Sequence, residues 1–185
     1  MTRIKLVDPE SIHDPVISEI LSWVVDMEGR IPNHFLVELN FPEFFKAKLS
    51  ATKTLWEMGE LSMEEIQHIG IAVSKANNCQ YCTAAFCTIL TYGLKKDEDY
   101  TKAFLNSGSE AVADERLKLF VDISLKVNND PFSITDEDME QLRNTGITDK
   151  GILQLLHLVS DFASYNRLNI ALQTDYDYRD IWKLW

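Results

Sequence analysis

Two cysteines stand three positions apart in the run Asn77-Asn78-Cys79-Gln80-Tyr81-Cys82. The run follows one helical pattern and opens the next. At a helix start the free N–H groups of the first turn, and the positive end of the helix dipole, favour a thiolate over a thiol. Two thiols on one turn can also close a disulfide. The pair therefore points to dithiol–disulfide redox chemistry. Metal binding is the competing use. A structural zinc takes four ligands, and no second Cys-x-x-Cys or His pair accompanies this one, so no metal is expected. Nor does a flavin, haem or nicotinamide fingerprint appear, so no cofactor is expected.

The elements that must position the pair read as helices. Apolar residues recur at helical spacing over Ile12 to Glu28, through Val16, Ile17, Ile20, Leu21, Val24 and Val25. Gly29 and Pro32 close that pattern. A second covers Phe44 to Met58. Ser62 and Glu65 have capping-box spacing, so a third helix starts near Met63 and runs to Ala76. Asn77-Asn78 breaks it, and Cys79 to Thr91 continues as the next. Ala111 to Lys126 and Gly151 to Leu172 complete the long helices, with further N-cap signals at Thr135 and Thr148. The segments Lys95–Glu110 and Asn128–Ser133 read as joints. No stretch alternates as a strand would. The expected fold class is all-α, a helical bundle in a single domain over residues 1–185.

Laid out at about 100° per residue, Phe86 falls between Cys79 and Cys82 and one turn beyond Cys82, so its ring stands beside the thiols. Cys87 points about 140° away from Cys82 on the same layout and reads as a core cysteine.

Composition sets the surroundings. The chain has 185 residues, 45% of them hydrophobic, with a net charge of -11. An acidic chain is a poor partner for nucleic acid or an anionic membrane surface, so neither is expected. The start Met1-Thr2-Arg3-Ile4-Lys5 has no apolar run after it, so no signal peptide is expected, and no segment reaches the ~18 apolar residues of a membrane span. Three cysteines are no secreted disulfide framework. The expected location is cytoplasmic.

The run Glu65 to Cys82, with its Val-Ser-x-x-Asn-x-Cys-x-Tyr-Cys core, resembles the carboxymuconolactone decarboxylase/AhpD-like superfamily, in its alkylhydroperoxidase or peroxidase-related branch. Two other segments agree: Gly29 to Phe35 followed by Phe41-Pro42-Glu43, and Ile147 to Leu153 followed by Tyr165-Asn166-Arg167-Leu168. The resemblance covers residues 29–177. It implies an AhpD-like helical bundle that assembles as a dimer, trimer or hexamer. It also implies reduction of a hydroperoxide, or exchange with a protein disulfide, with electrons from an external dithiol reductant. Cys82 would be the nucleophile and Cys79 the resolving thiol.

The resemblance has departures. The active branch carries a glutamate twelve residues before the first cysteine and a histidine four after the second; here those positions are Gln67 and Phe86. An amide cannot shuttle protons at neutral pH, and a phenyl ring has no proton to move. Stand-ins are His68 and Glu64 on the same helix, and His34 from the N-terminal segment. Their bland readings are a surface or interface histidine for His68 and a solvated first-turn carboxylate for Glu64. The expected function is thus a thiol-disulfide oxidoreductase or alkyl hydroperoxidase-like antioxidant protein, weak for want of its relay. The alternative is a non-catalytic or redox-sensing oligomer on the same fold. Lactone decarboxylation has no site residues to support it.

Other residues read structurally. His157 and Asp161 share a face with Gln154 and Ser164, expected to be a solvated stripe. Asn166 falls on the opposite, apolar side and must be hydrogen-bonded there. Trp23 and Trp56 read as core or interface aromatics. Trp182 and Trp185 give an apolar C-terminus expected to dock on its own domain or on a neighbouring subunit.

Overall fold

The computed structural model describes residues 1–184; Trp185 lies outside the described residues. Nine α-helices and no strand occur among them. Helix α1 is Pro15–Glu28, α2 Asn33–Glu38, α3 Pro42–Glu57, α4 Met63–Ala76, α5 Gln80–Thr88, α6 Glu98–Ser107, α7 Glu115–Asn129, α8 Asp136–Asn144 and α9 Asp149–Leu172. No helix among the described residues is long and apolar enough to cross a membrane.

Local chemistry sets the helix ends. Asp14 caps α1 by accepting from the N–H groups of Val16 and Ile17, with Pro15 at the first helical position. Gly29 closes it at φ 76°, a left-handed conformation that glycine adopts freely. The Ser62/Glu65 capping box opens α4 where the sequence places it. The segment Lys95–Glu110 is not a joint, for it contains α6. Asp97 caps that helix, but only Thr101, Phe104 and Leu105 are buried, too few to show as a periodic stripe. The helix α2 also lacks a legible pattern, having six residues and no side-chain cap.

Helix α4 is the axis of the main core. It packs against α5, α7 and α9 and is buried continuously from Glu65 to Ser74. Each of Ile66, Ile69 and Val73 is 0% exposed, a burial worth about 1.5–3 kcal/mol per side chain. A second core cluster joins α1, α2 and α3 through Ile17, Ile20, Val24, Phe35, Phe45 and Leu49. Trp23 packs against both clusters and meets Trp56 edge to face at 5.7 Å.

Three polar residues on these helices are placed otherwise than the sequence suggests. His68 is no surface residue: it is fully buried, because α4 is enclosed on all sides rather than on one stripe. Gln154 does not belong to a solvated stripe. Its Oε1 accepts from the N–H groups of Glu60 and Leu61, and its Nε2 donates to the Leu55 carbonyl, so it holds the turn between α3 and α4. His157 and Ser164 of that stripe are exposed, while Asp161 is half-buried and accepts from Thr52 at 2.9 Å. Asn166 is buried and fully engaged. It donates to Ser74 Oγ at 3.0 Å and accepts from Asn77 Nδ2 at 2.9 Å, and Asn77 in turn pairs with Asn128. This network ties the ends of α4 and α7 to α9 immediately before the cysteines.

Candidate active site

The turn between α4 and α5 delivers Cys79. Asn78 takes φ 57°, and the Cys79 N–H donates back to the Ser74 carbonyl at 2.9 Å. Cys79 is the N-cap of α5, and its Sγ accepts from the Cys82 N–H at 3.3 Å. The two cysteines form a disulfide, with Cα atoms 5.4 Å apart. Asn169 Nδ2 on α9 lies 3.6 Å from Cys82 Sγ and donates to it. Cys87 stays outside the pair, and burial pushes its thiol up, as its place in the helical layout requires.

The two residues between the cysteines hold the C-terminal segment down. Gln80 Nε2 donates to the Trp182 carbonyl, and Gln80 Oε1 accepts from the Leu184 N–H. The Tyr81 hydroxyl donates to Asp177 Oδ1 at 2.7 Å and accepts from the His34 N–H at 3.2 Å. Asp177 also receives Arg30 and the Asn33 N–H. The tail therefore docks on its own chain, with Trp182 fully buried, and the thiols beneath it are nearly so.

Cys82 opens onto a cavity of about 50 Å³. Aromatic rings form much of its wall. Phe86 stands beside Cys82 as the helical layout predicts, 4.6 Å from the Phe162 ring and 6.3 Å from Trp56. It also lies on Gly70 of α4, where a methyl group would overlap the ring, so that position requires glycine. Three polar atoms on this wall, Trp56 Nε1, His34 Nδ1 and the Tyr165 hydroxyl, find no hydrogen-bond partner among the described residues.

The candidate proton-handling residues separate into two groups. His34 and Phe86 line the cavity with Cys82. Burial drives the His34 imidazole down to about 3, so it is neutral throughout the physiological range. Gln67 is fully buried, one helical turn before Gly70, and its amide has no partner among the described residues. His68 and Glu64 belong elsewhere. The His68 ring bonds the Glu64 carbonyl at 2.7 Å and the Tyr100 hydroxyl at 2.9 Å, and it packs on Phe104 of α6. Glu64 is ion-paired with Lys96 at 2.6 Å rather than free in solvent.

One cavity residue escaped sequence reasoning. Glu28, the last residue of α1, lines the cavity together with Cys82. Burial raises its carboxyl to about 7, against the lowering effect of the Tyr178 hydroxyl, which donates to it at 2.6 Å, and of Arg30. The available signal was its position, since an acidic residue at a helix C-terminus faces the unfavourable end of the dipole. Its folded value lies above the unfolded one, so its contribution favours folding below pH 4.5 and is lost as pH rises through 7. Glu28→Gln should remove this loss. Relative to wild type the variant should gain up to about 3 kcal/mol between pH 5 and pH 8 in urea melts. His34 titrates in the opposite sense and cancels in that difference, so a constant difference across the range would contradict the assignment.

The frame and site define a dithiol protein of all-α build, with both sulfurs at the start of a buried helix. No protein-family model matches the chain, and no curated protein matches it. Among solved structures it is similar to an alkylhydroperoxidase AhpD core, a peroxidase-related protein from Ralstonia eutropha JMP134, at 25% identity and a TM-score of 0.82, over 98% of this chain and 94% of that one. A peroxidase-related protein from Silicibacter sp. TM1040 follows at 22% identity and 0.79, over 95% and 92%. The debrominase Bmp8 in complex with 2,3,4-tribromopyrrole matches at 16% identity and 0.77, over 96% and 94%. The chain thus has the AhpD-like, carboxymuconolactone decarboxylase-like fold that its sequence resembles, a fold that hosts more than one activity.

Proposed function

We propose that the chain is a thiol-dependent hydroperoxide reductase of modest rate, with Cys82 as the nucleophile and Cys79 as the resolving thiol. One observation carries the reading: Cys82 opens onto a small cavity while Cys79, in disulfide reach of it, caps the helix behind. The Cys82 thiolate attacks the terminal peroxide oxygen. An S–O bond forms, the O–O bond breaks, and the departing oxygen leaves as an alcohol or water once it takes a proton. Cys79 then attacks the sulfenic sulfur. The S–S bond forms, and hydroxide leaves as water with the Cys79 proton. An external dithiol returns two electrons and opens the disulfide.

The geometry supports this division of labour. Cys79 Sγ accepts a helix N–H, which makes it the better leaving group when the external dithiol attacks Cys82. Trp56 Nε1–H can donate to a peroxide oxygen, and satisfying a buried donor recovers about 1–3 kcal/mol. A cavity of about 50 Å³ holds a few water-sized groups, which favours hydrogen peroxide and small alkyl hydroperoxides over bulky ones. The test is turnover with dithiothreitol as reductant. Hydrogen peroxide should be consumed by the wild type and not by Cys82→Ser, with cumene hydroperoxide slower. A wild type that cycles between dithiol and disulfide but turns over no peroxide would favour the redox-sensing alternative.

A reducing, cytoplasmic setting suits this chemistry, as does self-association. Phe41 and Phe44, 62% and 55% exposed, stack on one another at 5.8 Å and offer an apolar contact face. Light scattering at micromolar concentration should report a multimer, and a mass near 21.3 kDa would contradict it.

A further inference from the structure

We infer that Glu28 is the proton carrier of the thiol site, linking a solvent-facing groove to the cavity that contains Cys82. The inference rests on the peroxidase reading above. Glu28 lines two spaces at once. One is the cavity with Cys82, Phe86 and His34; the other is a surface groove with Arg30, Thr88, Tyr92, Tyr178 and Arg179. It is half-buried. The Tyr178 hydroxyl holds its Oε2 at 2.6 Å and fixes the carboxyl between the two spaces.

The groups around it leave the task to Glu28. Arg30 and Asp177 are engaged with each other, and Tyr92 donates to Glu98 on the outer side. Arg179 donates to the Tyr92 hydroxyl and holds no transferable proton at neutral pH. Burial pushes the phenols of Tyr81, Tyr165 and Tyr178 up, so they keep their protons. His34 is neutral and too weak a base to hold one. Glu28, near 7, can both take and give a proton at physiological pH.

The step balances within the site. The Glu28 carboxylate takes the Cys82 thiol proton, directly or through a cavity water. The thiolate attacks the peroxide, the S–O bond forms and the O–O bond breaks. Glu28 returns the proton to the departing oxygen, which leaves as alcohol or water. The sulfur loses two electrons and the peroxide gains them. Any net proton exchange with solvent passes through the groove.

The test compares wild type, Glu28→Gln and Glu28→Asp, all prereduced. The glutamine keeps an acceptor for the Tyr178 hydroxyl and cannot titrate. Oxidation of Cys82 by hydrogen peroxide is followed by quenched-flow mass spectrometry from pH 5 to 9. Wild type should show a rate step near pH 7. Glu28→Gln should lack that step and react about tenfold more slowly at pH 7, whereas Glu28→Asp should keep a displaced step. An unchanged profile and rate in Glu28→Gln would overturn the inference. If wild type does not react with peroxide, the peroxidase reading fails by itself. Cys82 alkylation by iodoacetamide then decides the role of Glu28. Two titration steps in wild type and one in Glu28→Gln support it; identical profiles overturn it.

Discussion

A protein carrying both Gln67→Glu and Phe86→His should reduce hydrogen peroxide at least roughly tenfold faster than wild type. General acid–base help from a paired imidazole is worth about 10²–10⁴-fold. The cavity already contains one histidine, and it shows why a single change is insufficient. His34 is half-buried with its ring Nδ1 unpartnered among the described residues, and desolvation holds it neutral down to about pH 3. A lone histidine at position 86, walled by Phe162 and Trp56, would meet the same fate. A lone glutamate at 67 would be equally handicapped, because Gln67 is fully buried and its amide already lacks partners among the described residues. Its charged form would be expelled and its pKa raised. Together the two groups supply each other's counter-charge, so the gain and the recovery of stability should be non-additive. Stopped-flow peroxide consumption by the two single variants and the double variant decides this. A folded double variant with wild-type rate would show that the site has diverged beyond these positions.

Phe162→Ala should cost about 3–5 kcal/mol, the usual range for deleting a fully buried ring. Phe162 is 1% exposed, sits mid-way along α9, and packs on both Phe86 and Trp56. Total stability for a chain of this kind is about 5–15 kcal/mol, so the thermal midpoint should fall by about 10 °C. The vacated space adjoins the existing cavity, so the surviving folded protein should also accept cumene hydroperoxide more readily. Differential scanning calorimetry with a parallel turnover assay reads both effects. A loss below about 1 kcal/mol would mean that the aromatic wall is not packed as described.

What the sequence makes legible here is what local geometry controls. The capping box of α4, the cysteine pair at the head of α5 and the approach of Phe86 to the thiols all follow from spacing within one or two turns. Residues brought together by tertiary packing were not legible. Glu28 lines the same cavity as Cys82 from the end of α1, and no periodicity announces it; His34, named as a stand-in from the sequence, lines it too. His68 and Gln154 looked like surface residues because polar side chains normally are. Each is buried because it completes a specific set of backbone or hydroxyl contacts. The helix α6 was hidden for a related reason, since only three of its residues are buried.

The most direct measurement is a single turnover. Fully reduced protein is mixed with one equivalent of hydrogen peroxide, then alkylated and mapped by mass spectrometry. One peroxide should be consumed per Cys79–Cys82 disulfide formed, Cys87 should remain a free thiol, and Cys79→Ser should stop at a Cys82 sulfenic acid. Peroxide left unconsumed, or a sulfenic acid found on Cys79 in place of Cys82, would contradict the account.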